Sequence, residues 1–313
     1  MLRTRRQHAL AVLNVALVAI FFGCGFAAMQ TVLKGGMSVG ASLSVRFLIG
    51  TAILGVLLKT QRVKFDRSSL HDGLILGAIL VTIFWLQTDG LRFTTTAKSG
   101  LITSLYVPFT PVLAFLLKER VTLSHGLGTA IATIGLLLLV HVPGSLLNGW
   151  NRGDFETLLC ALLCTAHVVF TGRFSRRSNA WILAWTQVAV TGVVSAIVTV
   201  FLPAPHGFQT TPAALSHLNV VLAFAFMICF TTVFGFWGIS KWQGYLSAAE
   251  AAVVYSLEPV VAAAVGVFWV GEHFSPAQLL GAGLIVLGML TAELLPRLTA
   301  SIWPRDLADA PAD

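Results

Sequence analysis

The chain has 313 residues, of which 56% are apolar and only 11% charged, and its net charge is +7. Soluble globular chains carry about 25% charged residues, so this composition cannot solvate a soluble enzyme or a secreted scaffold. The cations sit singly or in small groups between apolar runs, which also excludes a nucleic-acid binder and leaves a polytopic helical membrane protein.

Crossing the hydrocarbon core takes ~20 apolar residues. Uncharged runs of that order recur at about 9–29, 39–58, 70–90, 97–117, 123–142, 154–172, 181–202, 217–239, 247–270 and 277–295. The first begins with the basic stretch Arg3-Thr-Arg5-Arg6 but has no small-residue cleavage site behind a short apolar core, so it is expected to stay as a membrane helix. With a cytoplasmic N-terminus, fifteen Lys and Arg residues fall in inner connections and four (Lys34, Arg92, Lys98, Arg152) in outer ones, leaving Arg46 inside a span. This is the bias of the positive-inside rule, and losing one span would destroy it. Both termini are therefore expected in the cytoplasm. The four cysteines (Cys24, Cys160, Cys164, Cys229) all lie in apolar runs without metal-ligand spacing. They read as packing residues, and no metal or cofactor is expected.

An internal repeat appears when the chain is shifted by 153 residues, which aligns Val107–Leu137 with Val260–Leu290 without a gap. Phe115/Phe268, Glu119/Glu272, Gly128/Gly281 and Gly135/Gly288 then coincide. Each half holds five spans, an odd number, so the second half must enter the membrane the other way up. The predicted fold class is all-α integral membrane, with ten transmembrane helices in two inverted five-helix repeats. Its parts are a cytoplasmic N-terminus (1–8), a first repeat (9–142), a second repeat (154–295) and a cytoplasmic C-terminal tail (296–313). Inverted repeats place a substrate site near the midplane, where the halves meet.

The residues that follow resemble a known family. They are Phe22-Gly-Cys-Gly-Phe-Ala-Ala in the first span, Arg46-Phe in the second, and Leu86-Gln-Thr-Asp-Gly-Leu-Arg-Phe before the fourth. Tyr106-Val-Pro-Phe-Thr-Pro111, Glu119-Arg, Ala166-His-Val-Val-Phe-Thr-Gly-Arg173, Gln187, Leu257-Glu-Pro-Val and Gly271-Glu continue the pattern. Over about residues 12–293 the chain is similar to the drug/metabolite transporter superfamily, and within it to the ten-helix EamA transporters. Asp89 departs from that pattern, at a place usually uncharged. The resemblance implies a secondary transporter of the bacterial inner membrane, working by alternating access and mostly exporting amino acids, metabolites or drugs.

Several polar residues fall inside predicted spans. Glu258 is near the centre of span nine, where a lone charge costs at least ~2.5–3.5 kcal/mol, so it must be neutral, paired or in a wet cavity. Pro259 beside it removes a helix donor, and Pro108 and Pro111 interrupt span four at nearly the same depth. Prolines interrupting equivalent spans of the two halves point to a transport site. Arg46 needs a partner, with Glu258 and Asp89 as candidates. Proton coupling through Glu258 is possible chemistry, and His167 has the ordinary titration range of a proton relay, although a packed neutral imidazole is the simpler reading. Trp85, Gln87, Tyr106, Gln187, Trp237 and Tyr255 form a candidate amphipathic lining for a small-molecule substrate. Glu250 and Lys98 are expected to be solvated near interfaces. The glycines of spans five and ten (Gly126, Gly128, Gly135, Gly281, Gly283, Gly288) suggest close helix packing, as scaffold or dimer face, and monomer and homodimer stay open. No HExxH, GxGD or P-loop pattern occurs, so an enzyme is not expected. Uptake by the same fold and a non-transporting sensor are the remaining alternatives.

Overall fold

The computed structural model describes residues 5–90, 93, 102–119, 121–139, 151–201, 207–265 and 275–302, and these are helical apart from short connections. In chain order the helices are α1 (Arg5–Lys34), α2 (Val39–Thr60), α3 (Arg67–Gly90), α4 (Tyr106–Leu116), α5 (Leu123–Leu139), α6 (Arg152–Phe174) and α7 (Ala180–Phe201). They continue with a short α8 (Thr211–Ala214), α9 (Leu218–Phe226), a π-helix (Met227–Phe234), α10 (Gly235–Trp242) and a 3₁₀ turn (Gln243–Tyr245). The last are α11 (Ala248–Tyr255), α12 (Leu257–Val265) and α13 (Pro276–Ile302). Among the described residues, six helical stretches are long and apolar enough to cross a membrane: α1, α2, α3, α6, α7 and the run Leu218–Tyr245. Helices whose apolar parts are shorter occupy the other four candidate positions, among them the segments Tyr106–Leu116, Leu123–Leu138 and Pro276–Ala292. Residues 97–101 and the segment Gly271-Glu-His273 lie outside the described residues.

Local chemistry fixes where helices start. Ser38 caps α2, its Oγ accepting from the Ala41 amide at 3.1 Å. Capping boxes open α6 (Asn151 with Asp154) and α11 (Ser247 with Glu250), each satisfying two backbone donors that the first turn leaves free.

The helices then pair closely. α2 lies against α7, α3 against α6 and α7, and α5 against α13. In the α5–α13 pair, a Cβ on Gly135 would stand 2.6 Å from the Gly281 carbonyl oxygen and 2.7 Å from the Ile285 nitrogen. A Cβ on Gly288 would stand 2.6 Å from the Gly128 oxygen and 2.7 Å from the Ala132 nitrogen. Residue numbers rise along one helix as they fall along the other, so the two run antiparallel. Gly126 and Gly283, by contrast, face open space.

Polar side chains gather at the two ends of the bundle. At the end holding the C-terminus of α2 and the start of α3, Arg177 clasps Asp72 with Nη2 at 2.6 Å and Nε at 2.8 Å, and Ser178 adds a bond at 2.7 Å. Next to it Arg176 donates to two backbone carbonyls, Gly244 and Leu246, both at 3.1 Å. Arg173 Nε reaches Glu119 at 2.9 Å. Glu250 is largely buried and meets His8 at 3.0 Å, which corrects the solvated position expected for it; Lys98 is outside the described residues. At the opposite end Arg152 pairs with Asp89 at 2.9 Å, and Ser38 Oγ donates to the Gly207 carbonyl at 2.9 Å.

Candidate functional site

Two interrupted helices frame the site. α11 stops at Tyr255, Ser256 turns, and α12 starts at Leu257. Pro259 has no N–H with which to bond the Tyr255 carbonyl one turn back, which explains a break beside Glu258. Likewise a turn at Ser104–Leu105 precedes α4, which carries Pro108 and Pro111. α12 lies against α1 so closely that a Cβ at Gly23 would stand 2.6 Å from the Glu258 carbonyl oxygen; only glycine permits that approach.

Between these helices is a cavity of about 310 Å³. α1 lines it with Phe22, Phe26, Met29 and Gln30, and α3 with Phe84, Gln87 and Thr88. Arg46, Tyr106, Cys164, His167, Gln243, Tyr255 and Glu258 complete the polar part of the wall. On α1 and α3 the lining runs from mid-helix towards the Lys34 and Gly90 ends. Towards the opposite end the cavity stops at a hydrogen-bonded floor: Tyr255 Oη donates to Gln243 Oε1 at 2.8 Å, and Gln243 Nε2 donates to the Val168 carbonyl at 2.6 Å. Beyond that floor lie the Arg173, Arg176 and Arg177 contacts described above.

Gln87, Tyr106, His167, Tyr255, Glu258 and Arg46 thus share one cavity, while Trp85 and Gln187 do not line it. Trp85 donates from Nε1 to Ser195 Oγ at 3.1 Å, fastening α3 to α7. Gln187 is fully buried behind the wall, its Oε1 3.0 Å from His167 Nε2 and its Nε2 donating to Ser240 at 3.1 Å. Trp237 packs against Trp181 with ring centres 5.3 Å apart and planes tilted by 39°, and it does not line the cavity.

Arg46 differs from expectation in its partners. Neither Glu258 nor Asp89 pairs with it. Its Nε donates to Thr232 Oγ1 at 2.8 Å and its Nη2 to Thr231 Oγ1 at 2.7 Å. The guanidinium carbon also lies 4.9 Å from the Phe47 ring centre and 5.2 Å from that of Phe84, so ring faces supply part of the electrostatic stabilisation. Two consecutive threonines reach one arginine because they sit in the π-helix, whose i→i+5 bonding turns less per residue than an α-helix. Glu258 has no ion-pair or hydrogen-bond partner among the described residues.

Sequence reasoning missed the α1 wall and Gln243. Phe22, Phe26, Met29, Gln30 and Leu33 recur three to four residues apart and mark one helix face, a signal that was available. Gln243 had none, because its role depends on the chain folding back over α6.

The EamA-like transporter family pattern matches this chain twice, over residues 9–141 and 151–292. An uncharacterized transporter of Archaeoglobus fulgidus is 32% identical over 90% of this chain and 85% of its own length. The uncharacterized transporter YyaM of Bacillus subtilis is 29% identical over 88% of this chain and 90% of its own length. A solved crystal structure with 20% sequence identity overlays with a TM-score of 0.74, covering 93% of this chain and 98% of that one, and it speaks for the fold alone. With both matched stretches spanning the helices that build the cavity, the chain belongs to the EamA-like transporter family of the drug/metabolite transporter superfamily, a multi-pass membrane transporter of small molecules.

Proposed function

We propose that this transporter is a secondary exporter of the inner membrane that moves small metabolites, amino acids or drugs by alternating access, through ten spans arranged as two inverted repeats. The observation that carries the reading is the cavity at the two interrupted helices, with Glu258 in its wall and one end closed. Its volume of about 310 Å³ is at the lower end of small-molecule sites, about 300–1,000 Å³.

Two further features support the inverted arrangement. Under the 153-residue repeat, Gly135 corresponds to Gly288, Gly281 to Gly128, and Ile285 to Ala132. The α5–α13 contact is therefore reciprocal: each glycine meets the repeat equivalents of the atoms that the other meets. A reciprocal contact between antiparallel helices needs an axis perpendicular to them, hence in the membrane plane if both cross it. The polar contacts also join groups that the charge pattern assigns to the same side. Arg173–Glu119, Arg177–Asp72 and His8–Glu250 join groups all assigned inside, whereas Arg152–Asp89 and Ser38–Gly207 join groups assigned outside. On that assignment the cavity extends outward and is closed towards the cytoplasm, one of the two states alternating access requires. Glu258, partly buried and without a cation partner among the described residues, is the group proposed to exchange protons with the substrate or with the external medium.

The test is a thermal-shift screen of the purified protein against amino acids, nucleosides, polyamines and drugs, followed by flux of each stabilising compound in proteoliposomes with and without a pH gradient. Glu258→Gln is expected to fold and to lose most of its flux. Normal flux with vanished pH dependence assigns the residue to proton coupling alone; normal flux with unchanged pH dependence removes Glu258 from the site.

A further inference from the structure

A second pocket, of about 410 Å³, lies far from the transport cavity, where the C-terminal end of α2 meets α7. Its wall combines Lys59 and Arg62 with Leu58, Val63, Phe65 and Trp185. The rings of Phe65 and Trp185 meet edge to face at 5.7 Å and form an apolar side. Gly55 admits the indole: a Cβ there would stand 3.2 Å from Trp185 Nε1. Among the described residues no carboxylate pairs with Lys59 or Arg62. The nearest acid in sequence, Asp66, is engaged elsewhere, its Oδ1 accepting from the Ser69 amide at 2.7 Å, which holds its carboxyl below the usual carboxylate range.

The backbone at Arg62 is unusual. α2 ends with Arg62 N bonded to Lys59 O at 3.0 Å and Val63 N bonded to Leu58 O at 3.2 Å, the two reversed bonds of a Schellman ending. The residue at this position takes a left-handed conformation and is normally glycine, yet here it is arginine with φ +50°. Lys118 takes the same conformation at the end of α4, with φ +62°, so the turn alone does not mark a site. What the Arg62 side chain does is contribute a second cation to the pocket.

We infer that this pocket binds the headgroup of an anionic phospholipid, with the phosphate between Lys59 and Arg62, the indole N–H of Trp185 donating to it, and the first acyl carbons against Phe65 and Leu58. The placement suits this ligand. The pocket is at a helix end, where headgroups lie and Trp side chains favour the interface, and basic pockets between membrane helices take such headgroups. Its location in the inner leaflet rests on the orientation proposed above, but lipid binding does not, so failure of one is distinguishable from failure of the other.

The test uses the full-length protein in nanodiscs and in detergent, with native mass spectrometry counting retained phosphatidylglycerol against phosphatidylcholine. The wild type is expected to retain phosphatidylglycerol preferentially. Lys59→Gln/Arg62→Gln is expected to weaken its binding about thirtyfold, since each interfacial cation contributes about one unit of the kind that makes a factor of five to six. Arg5→Gln/Arg6→Gln removes the same charge from α1 and is expected to leave binding within about twofold, because neither residue lines the pocket. Trp185→Phe keeps the ring and all charges, and is expected to weaken binding by several fold, which covers the case in which the double variant does not fold. Equal losses in the two double variants would reduce the effect to surface charge and overturn the site. So would equal retention of the two lipids. If inorganic phosphate or glycerol 3-phosphate displaces the lipid at matching concentration, the ligand is a soluble phosphate and the lipid assignment fails.

Discussion

The α5–α13 contact makes a quantitative prediction, because it sorts glycines that look alike in sequence. Substituting Ala at Gly288 places a methyl carbon 2.6 Å from the Gly128 carbonyl oxygen and 2.7 Å from the Ala132 nitrogen. Carbon prefers separations of about 3.5 Å or more, so the helices must part by nearly an ångström or bend. Both obstructing atoms are backbone and cannot rotate away. Overpacking of this kind costs ~1–3 kcal/mol. Gly→Ala within a helix also gains up to about 1 kcal/mol of propensity, but that gain is shared by Gly283→Ala on the same helix, where nothing lies within 4 Å. The difference between the two variants therefore isolates the steric cost. Gly288→Ala should be less stable than Gly283→Ala by ~1–3 kcal/mol, and Gly135→Ala less stable than Gly126→Ala by a similar amount, measured by reversible unfolding in mixed detergent micelles. If Gly288→Ala and Gly283→Ala unfold together, the helices do not touch through these glycines and the reciprocal contact is wrong.

Arg46→Met should yield a folded protein that loses charge-assisted hydrogen bonds of about 1.5–3 kcal/mol each without stranding a buried carboxylate. A double-mutant cycle with Thr231→Val/Thr232→Val should then show strong coupling, and additive losses would break the assignment. The Arg177–Asp72 pair should respond unequally, since Asp72 is 1% exposed and Arg177 59%. Arg177→Gln leaves a buried carboxylate short of donors and should be less stable than Asp72→Asn by ~1–3 kcal/mol in thermal unfolding; equal Tm values would show that Asp72 is solvated.

Much of the bundle was legible because its signals are local. Long uncharged runs mark α1, α2, α3, α6 and α7, and Pro259 and the Pro108/Pro111 pair mark helices that break. The exchange of partners around Arg46 was not legible. A buried arginine suggests a carboxylate, and nothing in Met227-Ile-Cys-Phe-Thr-Thr announces that the backbone will widen into a π-helix there. Gln187 and Trp85 show the opposite error. Both carry polar groups inside predicted spans, as lining residues would, but polarity inside a membrane is satisfied equally well by another helix, and Ser240 and Ser195 provide that. Composition tells that a polar group needs a partner; only packing tells which.

Arg176 and Arg177 are adjacent, yet their contacts have different mechanical characters. Arg177 holds a buried carboxylate, and separating the two would leave a charge in an apolar setting. Among the described residues Arg176 holds only the carbonyls of Gly244 and Leu246, neutral groups that water could serve if the linker between α10 and α11 moved away. The α6–α7 corner is thus riveted to α3 on one side and buttoned to the α10–α11 linker on the other. Under the alternating access proposed above, an opening of the floor would follow the seam beneath Gln243, where the contacts are to neutral groups.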